Sequence, residues 1–188
     1  MRNTAFFVAG VLLLLVQSNL FRVVGLLLRV ASWVFGTAHD LEVAGLVPSL
    51  VLPLILFMGV HEYSLARGAG VAFALGYLTD LVGVAPIGLH TFTYVAIFVL
   101  ARAAGVRLAA QTTLMQVVLA LAFTLVHCVM ILVLIAIFGR DPWVPRTLYP
   151  ITLAHVLATG AVAPLVFRLA QRVHTATMSG SQKEAARS

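Results

Sequence analysis

Residues 68–88 read GAGVAFALGYLTDLVGVAPIG. Within this stretch Gly68, Ala72, Gly76 and Asp80 recur every four residues, and Gly83 follows at the next turn. On an α-helix that spacing sets them along one face. Small residues there let a second helix approach closely, which drives packing in lipid, where burying apolar surface between helices gains little. A run this apolar, carrying one carboxylate, predicts a helix inside a membrane. Pro86 and Gly88 then predict a tight turn into the next helix.

The rest of the chain has the same character. Hydrophobic residues make up 62% of 188 and charged residues 10%. A soluble domain of this length carries far more charge on its surface. The net charge is +6, yet no two Lys or Arg are adjacent and no basic stripe is interleaved with aromatics, which excludes a nucleic-acid face. The basic balance instead suits loops beside an anionic leaflet. Cys128 is the single cysteine. It lies in an apolar run and reads as a small hydrophobe.

A helix needs about 20 apolar residues to cross a ~30 Å hydrocarbon core. The hydropathy pattern predicts an all-α membrane protein, a six-helix transmembrane bundle with spans over 4–28, 45–60, 68–84, 89–104, 112–138 and 148–170. Residues 1–172 form one membrane domain, and 173–188, rich in Ser, Gly, Gln, Lys and Glu, are expected to be a disordered cytoplasmic tail. The two sizeable loops are 29–44 and 139–147. The N-terminal run has no small-x-small cleavage site and continues apolar through Leu28, so it reads as a retained first helix rather than a signal peptide. Its polar middle (Gln17, Ser18, Asn19, Arg22) must face protein or an interface. Pro164 is expected to kink the last span.

Counting Lys and Arg gives the orientation. With six spans and the N-terminus inside, Arg2, Arg67, Arg102, Arg107, Arg168, Arg172, Lys183 and Arg187 are cytoplasmic. Arg22, Arg29, Arg140 and Arg146 are external, offset by Asp40, Glu42 and Asp141. Both termini therefore point to the cytoplasm. A re-entrant second span, suggested by Pro48 and Pro53, would undo this count.

Asp80 is the only carboxylate within a span, and an ionised Asp at the bilayer centre costs roughly 2.5–3.5 kcal/mol. It is expected near the outer interface, anchoring the helix end or bonding the 84–88 turn; the alternatives are positioning a surface that another subunit recognises and, less favoured, ion or proton coupling. His90 opens the fourth span, while His127 and His155 lie at a depth similar to that of Asp80. These three are possible interior polar partners, with His127 or His155 the expected partner of Asp80. Asp with two or three His could make a metal site, but they come from separate helices without i, i+4 spacing, and no metal is expected. There is no G-x-S-x-G elbow, H-E-x-x-H, P-loop or G-x-G-x-x-G, and His61-Glu62 lacks a second His four residues on. No catalytic residue and no cofactor is expected, and the chain reads as not an enzyme.

A proline-started apolar span (Pro48 to Phe57), a short polar turn (His61 to Arg67) and then Gly76-x-x-x-Asp80-x-x-Gly83-x-x-x-x-Gly88 resemble the MreD family of bacterial rod shape-determining membrane proteins. Length, six spans, compact loops and a short basic tail match as well. The departures are the long 29–44 loop and a Gly/Ala-rich, Arg-poor third span. The resemblance implies a non-catalytic subunit of the elongation (rod-shape) machinery in the bacterial inner membrane. Its implied partners are an MreC-type bitopic protein, indirectly MreB, and the glycosyltransferase–transpeptidase pair that builds sidewall peptidoglycan. Membrane lipid surrounds it, and nucleic acid is not a partner. On this reading Gly68, Ala72, Gly76, Asp80, Gly83 and Gly88 are the helix-packing and interaction residues.

The family's fold is similar to that of the S components of energy-coupling-factor transporters. That likeness implies an alternative, the substrate-binding S component of a vitamin or small-molecule transporter. Asn19, Tyr77, Asp80, His90, His127, Trp143 and His155 would then supply the site. Two alanines four apart on the first span, expected for docking an energising subunit, occur only as Ala5 and Ala9 at the extreme N-terminus.

Overall fold

The computed structural model describes residues 2–35, 47–61, 64–83, 86–104, 112–138 and 148–185. These form six helices: α1 (Arg2–Phe35), α2 (Val51–Val60), α3 (Leu65–Val82), α4 (Leu89–Ala103), α5 (Thr113–Phe138) and α6 (Leu148–Ala185). No strand occurs among the described residues. The expected loop over 139–147 with Trp143, residues 36–44 of the first loop, and residues 186–188 of the tail lie outside the described residues.

Four helices contain stretches long and apolar enough to cross a membrane: Thr4–Leu26 of α1, Leu65–Val82 (all of α3), Thr113–Phe138 (all of α5) and Thr152–Thr177 of α6. The other two helices are shorter than these four; α4 matches the expected 89–104 to within one residue, whereas α2 falls well short of the expected 45–60. Helix α4 has 15 residues. Helix α2 has 10, a rise of about 15 Å, which is half the hydrocarbon thickness. Every residue of α2 is buried. Its Phe57 stacks on Phe6 of α1 (6.1 Å between ring centroids) and meets Phe167 of α6 edge to face (5.9 Å). The neighbouring helices thus shield α2 on all sides, and it forms the axis of the core.

Prolines explain why α2 is short. Pro48 disfavours helix at the residue before it, so 47–50 are not helical. Pro53 falls in the first turn, where its missing N–H removes a donor that would have no helical partner. At the other edges the helices outrun expectation. Helix α1 continues through 29–35 because no Gly or Pro interrupts Arg29 to Phe35. Helix α6 carries Pro164 inside it and runs to Ala185, so residues 173–185 are helical and not the disordered tail expected. Its last turn, Gln182-Lys-Glu-Ala185, consists of strong helix formers.

Candidate functional site

The stripe on α3 is consumed inside the fold. A Cβ built on Gly76 would lie 2.5 Å from Thr91 Cα and 2.9 Å from both His90 O and Thr91 N. The backbone of α3 therefore presses directly on the first turn of α4, a contact only glycine permits. One turn below, Ala72 is fully buried, and a Cβ on Gly68 would overlap the Phe98 ring. Gly83 departs from the expected set: it is exposed and forms the extended C-cap of α3. The stripe, expected to pack against a helix, does so within the chain, as a seam between α3 and α4.

That seam brings Asp80 to the start of α4. The N-cap of α4 is Gly88, with φ +101° and no side chain, so the helix has no local residue to accept its first N–H groups. Asp80 supplies that acceptor from α3. Its Oδ2 accepts hydrogen bonds from Gly88 N (2.9 Å), Thr91 N (3.1 Å) and Thr91 Oγ1 (2.7 Å). Its Oδ1 accepts from His90 N (2.9 Å) and His90 Nδ1 (2.9 Å). Only 2% of Asp80 is exposed. The carboxylate also sits where the helix dipole favours negative charge. Gly88, included above as a packing glycine, serves instead by its positive φ, since an added Cβ there would meet nothing within 4 Å.

Gly70 is the internal control for the stripe. It is exposed on α3 and a Cβ there meets nothing within 4 Å. Gly70→Ala is expected to stabilise the chain slightly, by about 0.5–1 kcal/mol, as read by thermal unfolding in detergent. A loss comparable to that at Gly76 would sink the assignment of the stripe to one face.

The histidines divide their roles differently from expectation. The partner of Asp80 is His90, and neither His127 nor His155 bonds it. His155 Nδ1 bonds the carbonyl of Val47 at 2.8 Å. Three further side chains serve the same irregular segment. Gln17 Oε1 accepts from Leu50 N (2.8 Å) and Thr159 Oγ1 from Ser49 N (3.0 Å), while Ser49 Oγ accepts from Leu52 N (3.4 Å). Backbone that is not helical is tolerated at membrane depth only when protein satisfies its polar groups, and here α1 and α6 do so. Gln17, Ser49, Thr91 and Thr159 were not singled out for these tasks by the sequence. The signals were the polar middle of α1 and a helix start after Gly88 with no capping side chain. Gln17→Leu, by leaving Leu50 N–H unpaired and buried, is expected to cost about 1–3 kcal/mol; an unchanged unfolding midpoint would refute the bond's role.

His127 is 4% exposed, and neither of its ring nitrogens has a hydrogen-bond partner among the described residues. Its ring lies 6.0 Å from His90 and 5.4 Å from Tyr94 between centroids. No group of three His, Cys, Asp or Glu among the described residues could hold a metal ion. Of the described residues named above for a small-molecule site, Asp80, His90 and His127 lie together, while Asn19 and Tyr77 are exposed. Asn19 donates to Leu15 O on its own helix (2.9 Å), Tyr77 is 44% exposed, and Asp80 is fully engaged. A cleft of about 430 Å³ between α1 and α3 is lined by Gln17, Ser18, Arg22 and Thr79 with apolar neighbours.

A family model described as rod shape-determining protein MreD matches residues 7–173. Searches of curated proteins and of solved structures found no match.

Proposed function

The chain belongs to the MreD family of rod shape-determining membrane proteins, and from that premise we propose that it is a non-catalytic subunit of the bacterial elongation machinery. It sits in the inner membrane with both termini cytoplasmic, holds an MreC-type bitopic partner, and through it serves MreB and the glycosyltransferase–transpeptidase pair of sidewall peptidoglycan synthesis. The family match over residues 7–173 carries this reading.

Two features support it. The intramembrane polar groups with bonding partners, Asp80, His90, His155, Gln17 and Thr159, are spent on the chain's own backbone and helix starts. The outer faces offer long apolar surfaces instead, with Leu12, Leu15 and Val16 exposed on α1 and Val118, Leu125 and Val129 on α5. In lipid such faces associate by packing with other helices. The partner surface therefore lies on these outer faces and not on the α3 stripe.

Depleting the chain in its native host is expected to turn rods into spheres, and the tagged protein is expected to retain an MreC-type partner in mild detergent, identified by mass spectrometry. Cells that stay rod-shaped, together with a purified chain that brings down no such partner, would overturn the proposal.

A further inference from the structure

We propose that the bundle holds a bound water site beside His127, in which His127 is joined through water to His90. The argument begins from tautomers. A carboxylate oxygen only accepts, so the 2.9 Å contact of His90 Nδ1 with Asp80 places a hydrogen on Nδ1. That neutral ring then keeps a bare lone pair on Nε2. His127 contributes one more lone pair and a single N–H. The two imidazoles thus present two acceptors and one donor, and cannot fully satisfy one another.

His127 raises the demand because it is nearly fully buried with both nitrogens unpartnered among the described residues. An unsatisfied buried polar group is destabilising, because it has given up its hydrogen bonds to water without replacing them. A ligand that meets this inventory must be small and carry at least two donatable hydrogens. Water fits, since buried water typically makes about three hydrogen bonds to such groups. The two rings are neighbours across α4 and α5, with centroids 6.0 Å apart. A metal ion would also take lone pairs, but no suitable group of three ligands occurs among the described residues.

The hydrated site extends the Asp80–His90 cluster that holds the turn between α3 and α4 to His127 on α5. It also gives the buried His127 ring the partners it lacks among the described residues.

The test uses the full-length protein, isotope-labelled, in lipid nanodiscs. Water-edited solid-state NMR is expected to transfer magnetisation from water to the His127 ring much faster than to the fully buried Ala120 methyl on the same helix. His127→Leu is expected to lower the unfolding midpoint by about 5 °C and to slow transfer to the His90 ring, while His127→Gln, which keeps a donor and an acceptor, restores most of both. A His127 ring as dry as Ala120, or a midpoint raised by His127→Leu, would overturn the proposal. So would one equivalent of a divalent metal retained by the purified protein.

Discussion

Asp80→Asn is expected to lower the stability of the isolated protein by about 3–5 kcal/mol, the cost of breaking a buried charged cluster by changing one partner. Five donors converge on the carboxylate, from Gly88, His90 and Thr91. An amide keeps one oxygen with two lone pairs and turns its NH₂ toward groups that themselves donate. At least two donors are therefore left unpaired in a site that is 2% exposed. The first turn of α4 loses its cap as well, because Gly88 has no side chain to replace it. Thermal unfolding in detergent reads the effect as a midpoint lowered by roughly 10 °C. A midpoint within a degree of wild type would mean that the α3–α4 turn does not depend on the carboxylate.

Gly76→Ala is expected to cost about 3 kcal/mol, at the upper end of overpacking, and Gly76→Leu to prevent folding. The added Cβ meets backbone, Thr91 Cα at 2.5 Å and the peptide groups of His90 and Thr91 at 2.9 Å, and backbone cannot step aside as a side chain can. Relief requires α3 and α4 to separate at the point where Asp80 reaches across. The two sites are consequently coupled. In the double variant Gly76→Ala with Asp80→Asn, the combined loss is expected to fall short of the sum by 1 kcal/mol or more, within the usual range for residues sharing partners (roughly 0.5–3 kcal/mol). Simple additivity would show that glycine and carboxylate act on different parts of the fold.

The stripe itself was legible in the sequence, because a period of four small residues on an apolar run has one structural meaning. Its destination was not. Whether such a face meets a helix of the same chain or of another depends on tertiary arrangement, and here α4 occupies it. Hydropathy carried the six helices but overstated α2, since an apolar run over 45–60 reads alike as helix and as buried irregular backbone; Pro48 and Pro53 held the clue. The polar middle of α1 announced a buried contact, and Gln17 makes one, but nothing local says that its target is Leu50 N–H. Similar estimated depth made His127 and His155 equal candidates to bond Asp80. Helix rotation decides between them, and it favours His90, which sits in the first turn that Asp80 caps. The polar tail composition suggested disorder where residues through Ala185 are helical.

The central claim is that the Gly76–Asp80 face builds this chain's own fold, leaving its outer apolar helices to meet a partner. It is tested most directly by measuring the unfolding midpoint of Gly76→Ala as an isolated chain, beside capture of an MreC-type partner by the same variant. The expected result is a large loss of stability in the isolated chain, with capture falling only in proportion to the folded fraction. An isolated chain as stable as wild type that no longer captures its partner would contradict the claim.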